Sequence, residues 1–291
     1  MKRLLIPLLL VTTSIFSQKG YEIKVKIAGL RDTTLILGHH FGSNLYPDDT
    51  IRINAQGVGV FKGNKPLPEG MYLIFLPNKT YFDFLVTENQ HFGIENDTTD
   101  LFRKIKFYYS KENEIFYNYQ FYLSDKRKEM NALVEAKKKT TSEAEQKRIS
   151  EKMKAIDNEV KKYRDNLIKQ APNSFVAKFI KATTDIEVPD PPRDAQGNIT
   201  DSLFQYRYYR FHYFDNMDIS DVRLLRTPIY EEKLMTYINK VIPQIPDTIM
   251  REVDMLIARS RTSPELFRYM LVTLFNHYGK SQIMGFDDIA L

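Results

Sequence analysis

The chain has 291 residues, 43% apolar and 27% charged, an ordinary globular composition and more length than one typical domain needs, so two domains are expected. It contains no cysteine, which excludes a structural disulfide, an acylated cysteine and thiol chemistry by these residues. The formal charge of +5 is spread over alternating Lys and Glu, the pattern of solvated helix faces, so nucleic acid is not an expected partner.

Residues 1–17 open with Lys2-Arg3, continue through the apolar run Leu4 to Val11 and end in Thr12, Thr13, Ser14 and Ser17. That three-part pattern predicts a secretory signal peptide cleaved after Ser17, and therefore an exported protein. The apolar run is short of the roughly 20 residues that span a bilayer, and no later stretch is long and apolar enough. No transmembrane segment is expected once the signal is removed.

Residues 18–109 read as a β domain. Tyr21 to Ile27 alternates, with Tyr21, Ile23, Val25 and Ile27 inward. Thr33 to Gly38 gives a second strand, after which His39-His40-Phe41-Gly42 leads into a polar loop ending at Pro47-Asp48-Asp49. Thr50 to Ile53, the turn Asn54-Ala55-Gln56-Gly57 and Val58 to Gly63 read as a hairpin. Strands follow at Met71 to Leu76, Tyr81 to Thr87 and Gln90 to Glu95, and Leu101 to Tyr109 is transitional. Roughly six to eight short strands with Gly or Asn turns argue a small antiparallel β-sandwich or open barrel.

Residues 110–291 read as a helical domain: a hairpin over 113–171 and a bundle over 174–291. The first hairpin helix places Phe116, Tyr119, Leu123, Met130, Leu133 and Val134 on one side. The second carries Ile149, Met153, Ile156, Val160, Tyr163 and Leu167 at spacings of four and three, and the two seams are expected to pack together. Ser142 with Glu145 three residues on is a capping box that starts the second helix. Ser174 caps Phe175 to Thr184, Val188 to Asn198 is an exposed Pro-rich loop, and an aromatic helix runs from Leu203 to Phe214 behind Asp201 or Ser202. Helices follow at about 229–241, 248–259 and 264–278, and Met284 to Leu291 reads as a further helix being started. The fold class is α+β, an N-terminal antiparallel sandwich or open barrel followed by a helical hairpin and an all-α bundle.

No residue earns a catalytic, cofactor-binding or metal-binding assignment. His39-His40 are adjacent on a strand and so point to opposite faces, and no HExxH, GxSxG, P-loop or GxGxxG string occurs. Acidic groups at Asp97, Asp100, Asp215, Asp218 and Asp221 suit turns and caps, and Arg223 and Arg226 are expected to form local ion pairs with the last three. Tyr206 to Phe214 interleaves aromatics with Arg, which suits either stacking on a ligand or, more simply, an internal helix with its polar tips at the edges. If the chain binds a glycan, peptide or protein, the expected contacts are Tyr81, Phe82, Tyr208 and Phe211.

Two blocks resemble a known family. Asp49-Thr50-Ile51, the run Gly57-Val58-Gly59-Val60-Phe61-Lys62-Gly63 and Gly70-Met71-Tyr72-Leu73 resemble the uncharacterised N-terminal β domain of exported thioredoxin-like proteins of Bacteroidetes. Tyr208-Tyr209-Arg210-Phe211-His212-Tyr213-Phe214-Asp215-Asn216 and Asp221-Val222-Arg223-Leu224-Leu225-Arg226-Thr227-Pro228 resemble the helical domain that follows it, and this second block is the more specific. In that family a TlpA-like thiol:disulfide oxidoreductase domain bearing Cys-x-x-Cys comes next. No cysteine here corresponds to it, so no catalytic residue carries over. The resemblance implies a non-catalytic accessory region in the periplasm or cell envelope that orients a thioredoxin-fold domain in cis, or another exported protein. Two other readings stay open: a stand-alone envelope binding protein for a glycan, peptide or protein partner, and a cysteine-independent hydrolase.

Overall fold

Period-two patterning becomes eight strands in the computed structural model, which describes residues 20–280. The signal peptide expected over 1–17 and the helix start expected at Met284 to Leu291 lie outside the described residues. The strands are β1 (Tyr21–Ala28), β2 (Thr34–Phe41), β3 (Asn44–Arg52), β4 (Val58–Gly63), β5 (Gly70–Phe75), β6 (Tyr81–Val86), β7 (His91–Asp97) and β8 (Lys106–Tyr108). They form two open four-stranded sheets, ordered β4-β1-β7-β8 and β3-β2-β5-β6. Ile23, Val25, Leu35, Leu37, Tyr72, Phe84 and Ile94 fill the space between them. The α+β expectation holds, with a sandwich rather than a barrel at the N-terminal end.

Three local expectations change. The polar stretch before Asp49 is strand: β2 continues through His39 and His40, turns at Gly42-Ser43 and returns as β3, with His39 opposite Tyr46. Because β3 is a sheet edge with almost every residue exposed, burial imposes no alternation on it. Asn54-Gly57 is a real turn, its Asn54 Oδ1 accepting from the Gln56 and Val58 N–H groups, but it crosses between sheets, since β3 pairs with β2 and β4 with β1. The sheet containing β1 is also mixed, because β1 runs parallel to β7.

The helices are α1 (Lys111–Lys139), α2 (Glu143–Gln170), α3 (Phe175–Ala182), α4 (Phe204–His212), α5 (Val222–Leu225), α6 (Pro228–Thr236), α7 (Pro246–Ser260) and α8 (Pro264–Gly279), with a π turn at Tyr237–Val241. The Ser142 and Ser174 hydroxyls accept from the Glu145 and Ala177 N–H groups, and Pro228, Pro246 and Pro264 sit in first turns. The α1 and α2 seams close on each other: Tyr163 stacks on Tyr122 at 4.2 Å, and Lys126 pairs with Glu159 at 2.8 Å. Contacts with the body continue along α1 through Phe121, which meets Phe102, to Asp125, which pairs with Arg103, so residues 126–139 and the facing part of α2 extend beyond them as a two-helix arm about 20 Å long. The aromatic helix α4 is not internal, for none of its residues is buried. Phe204, Tyr208 and His212 pack along its own surface, while Tyr209 is half-buried against the core. The Tyr206 hydroxyl and Arg210 reach the Val241 carbonyl and Glu252, as expected of the polar tips, and the chain becomes fully buried only at Tyr213 and Phe214. Leu203 occupies its N-cap position, with Asp201 accepting the Leu203 N–H.

The sandwich and the helices share one apolar core and are joined through main-chain groups. The fully buried Asn113 side chain accepts from the Leu85 N–H and donates to the Leu85 carbonyl, both at 2.7 Å, so it pairs with β6 as another peptide unit would. Met71 N–H donates to the Arg226 carbonyl at 2.8 Å and Gly42 N–H to the Leu225 carbonyl at 3.0 Å. Beside these bonds lies an ionic network. Arg223 meets Asp221 at 2.7 Å and Glu69 at 3.5 Å, Lys178 meets Asp221 at 3.0 Å, and Glu112 accepts the Val176 N–H at 2.7 Å.

Asn113→Ala strands a buried donor and acceptor on Leu85, and is expected to lower unfolding free energy by about 2–4 kcal/mol, read as a lower urea midpoint. The two carboxylates at the junction carry opposite pH signatures. Burial acts to raise the Asp221 carboxyl, but the bonds from Arg223 and Lys178 outweigh it and leave it below its ordinary 3.8. Its contribution is present above pH 3.8 and is lost as pH falls through the lowered folded value. Burial lifts Glu112 above its ordinary 4.5 despite the bond from Val176, so ionising it costs stability as pH rises from 4.5 through the raised value. Urea midpoints measured from about pH 3 to 7 should therefore lose part of their acid slope in Asp221→Asn and part of their decline above 4.5 in Glu112→Gln.

Candidate functional site

Strand register sets out the outward face of the β4-β1-β7-β8 sheet as three rows. Lys62, Glu22 and His91 form one; Val60, Lys24, Gly93 and Tyr108 the next; Val58, Lys26, Glu95 and Lys106 the third. All of these but Val60 and Lys106 border an open groove of about 700 Å³ that also reaches Tyr109. Glu22 receives both Lys62 at 2.8 Å and Lys24 at 3.3 Å, and these two bonds hold its carboxyl below the ordinary range. Lys26 lies 3.7 Å from Glu95, whose other oxygen accepts the Tyr108 hydroxyl at 3.0 Å.

Gly93 stands opposite Tyr108 in the register, so the Tyr108 ring lies over a position with no side chain and remains 43% exposed. Tyr109 is in the left-handed region at φ +63 and is 84% exposed. Its carbonyl is fixed by the Asn89 amide at 2.6 Å, immediately before Ser110 at the N-terminus of α1. An aromatic residue held there costs on the order of 1–3 kcal/mol, and such outliers concentrate at sites of function. The exposed ring gives nothing back through core packing.

The four aromatics expected as contacts do not converge. Tyr81 is 45% exposed and packs edge-on against Phe75, which lines a shallow apolar groove with Ile36, Leu45 and Pro47 on the other sheet. Phe82 points the opposite way and is 5% exposed, a core residue that offers no surface. Tyr208 lines a charged cleft with Arg164, Lys181 and Asp185, its ring stacked on His212 at 4.1 Å. Phe211 projects to solvent with the Arg210 guanidinium 5.9 Å from its ring centre.

His39 bonds Asp48 at 2.7 Å and His40 bonds Asp83 at 2.8 Å, each on its own side of β2. Among the described residues no group of three or more His, Asp or Glu is placed to hold a metal ion. Arg223 pairs locally as expected, whereas Arg226 leaves the aspartates. Its main chain is tied to β5, which aims its side chain into the junction, over the Phe41 ring and against Glu265 at 2.5 Å.

A second exposed surface lies on α8. Leu266, Met270, Leu274 and Tyr278 face the core, while Leu271, Val272 and Phe275 on the opposite side are exposed, so the helix is apolar on two faces. Among the described residues no helix is long and apolar enough to cross a membrane.

Residues 21–140 match the family model described as a domain of unknown function, DUF4369, and residues 141–283 match another domain of unknown function, DUF5106. No curated protein matches the chain, and no solved structure does. The two matches meet between α1 and α2, inside the helical hairpin, whereas strand gives way to helix at Lys111. The chain is thus similar to two adjoining domains of unknown function, the first spanning the sandwich and one arm of the hairpin, the second spanning the other arm and the helical body.

Proposed function

We propose that this chain is a non-catalytic binding and positioning region of an exported thioredoxin-like thiol:disulfide oxidoreductase system in the periplasm or cell envelope. It holds a thioredoxin-fold domain, in cis or as a separate exported protein, and leaves thiol chemistry to that partner, since its own residues include no cysteine. The observation that carries this reading is the α8 stripe of Leu271, Val272 and Phe275, displayed on a helical body locked to the sandwich through Asn113, Met71 and Gly42. Positioning requires both features, an apolar patch to bind with and a rigid mount to bind from. The resemblance of the Gly57–Gly63 and Tyr208–Asn216 blocks to the thioredoxin-like family supplies the partner.

The stand-alone envelope binding protein is favoured by a different surface, the groove beside Tyr108 and Tyr109. The hydrolase reading draws no support from the cleft at Tyr208, where Lys161 is paired with Glu187 and Lys181 is bonded to the Asp215 carbonyl.

Intact mass of the native protein enriched from its own envelope, together with the exported proteins that co-purify, tests the reading. A species heavier by about one small domain, or a co-purifying thioredoxin-fold protein, is expected. Calorimetric titration with that thioredoxin-fold domain should show binding that Leu271→Glu with Phe275→Glu weakens about tenfold or more. The double variant should melt within about 4 °C of the parent, because both side chains already face water. Equal binding by parent and variant, or a native species with neither form of the partner, would sink the proposal.

A further inference from the structure

We infer that the outward face of the β4-β1-β7-β8 sheet binds an acidic polysaccharide, a chain of pyranose rings bearing carboxylates, with Tyr108 and Tyr109 as its stacking surface and the lysines of β1 and β4 as its charge partners. This site shares no residue with the α8 stripe and stands whether or not a thioredoxin-fold partner exists.

The ring geometry comes first. Tyr108 lies against the backbone at Gly93, and its hydroxyl is held by Glu95 at 3.0 Å, so one ring face is fixed toward solvent before any ligand arrives. The C–H groups on one side of a pyranose pack on the electron-rich face of such a ring. Tyr109 extends the platform at 84% exposure in a backbone conformation that aromatic residues rarely adopt. Neither ring is needed to fill the core, so a cost in backbone strain is retained for what the rings present outward.

Charge then selects the polymer. The face carries Lys24, Lys26, Lys62 and Lys106 against Glu22 and Glu95. Glu22 is shared by two of these lysines, which leaves positive charge available to carboxylates spaced along a chain. The Glu22 and Glu95 oxygens and the His91 ring supply acceptors and donors for hydroxyl groups. Neighbouring strands about 4.8 Å apart repeat these groups at close to the length of one sugar unit.

A peptide suits this face less well. Extended peptides gain affinity by adding a strand to a sheet edge, where main-chain groups are unpaired. This groove crosses the middle of the face, where β1 is bonded to β4 on one side and to β7 on the other.

Affinity electrophoresis of the full chain in native gels containing polygalacturonate, alginate, hyaluronate or dextran reads the interaction directly. At least one of the three acidic polymers is expected to retard the protein and dextran is not. Tyr108→Ala and Tyr109→Gly should each weaken retardation by about tenfold. Tyr109→Gly separates binding from folding, because glycine accepts the positive φ and the variant should melt higher than the parent while binding worse. Polyglutamate at equal charge should not displace the polysaccharide. The inference is overturned by no retardation in any acidic gel, by equal retardation in dextran, by a Tyr109→Gly protein that binds like the parent, or by displacement with polyglutamate. That last result would assign the face to acidic peptides or to charge attraction alone.

Discussion

A β-sheet buried against helices must find a partner for each main-chain N–H and C=O it carries into the contact, because an unpaired buried peptide group costs about 1–3 kcal/mol. In this protein that constraint fixes how the two halves meet. The Asn113 amide serves both groups of Leu85 on β6, and within the sandwich the Gln90 amide does the same for Leu67 just before β5, with both of its bonds at 2.8 Å. The Gly42-Ser43 turn enters the helical body, where Gly42 donates to Leu225 and the Ser43 N–H meets Glu231 at 2.7 Å. Glu231 also accepts the Tyr269 hydroxyl at 2.6 Å, and a side chain at position 42 would collide with both groups, so glycine at φ +57 is what allows the turn to seat. Each bond has one geometry, and together they set the direction in which α1 leaves the sandwich and the place of α5, α6 and α8 around it.

Charge at the same junction specifies the docking more than it stabilises it. Arg226 is almost wholly buried between the Phe41 ring and Glu265, and its Nε finds no partner, so part of its desolvation is left uncompensated. Asp221 gathers Arg223 and Lys178, and through Arg223 the network reaches Glu69 at the entrance to β5. A misplaced helical body would leave these charges buried and unpaired. The apolar core could tolerate such a slip more easily, since its contacts are not directional.

The parts of this architecture legible in the sequence are those set by short-range periodicity. The seam from Ile149 to Leu167, the serine caps at Ser142 and Ser174 and the alternation of β1 are each local in origin, and each is found where it was expected. What escaped depended on partners distant in sequence. The Asn54–Gly57 turn has proper hairpin chemistry, yet its flanking strands join different sheets, and no local signal distinguishes those outcomes. Rings cover most of the α4 circumference, which suits an internal helix, but only the Tyr209 side meets the core, while Phe204, Tyr208 and His212, four residues apart, pack on one another at the surface. In the candidate sites Tyr81 is a surface residue and Phe82 is not. Strand alternation requires that they differ but does not say which faces inward when Phe84, Leu85 and Val86 are all apolar. Tyr108 and Tyr109 lie in the transitional segment from Leu101 to Tyr109, where a left-handed tyrosine has no sequence signature.

The two sheets have unequal burdens, and that inequality bears on where the proposed binding face lies. β5 is buried at five of its six positions, the mark of a strand covered on both sides, and it supplies the Met71 bond to the helical body. With α1 on the edge strand β6 and the Arg226 carbonyl on the inner strand β5, this half of the sheet is engaged in holding the halves together, and a substitution there acts first on stability. β1 at the middle of the other sheet keeps strict alternation, with Ile23, Val25 and Ile27 inward and Lys24 and Lys26 outward. Its outward positions are free to vary in chemistry without cost to the core, because strand pairing is set by main-chain bonds and packing by the opposite face. The aromatic pair at Tyr108-Tyr109 sits at the edge of that less burdened sheet, one residue before the helix that anchors the junction begins its cap. A ligand on the rings and a partner on α8 would therefore be held by one rigid path through Ser110, Asn113 and the sandwich edge, so that the position of either is defined relative to the other.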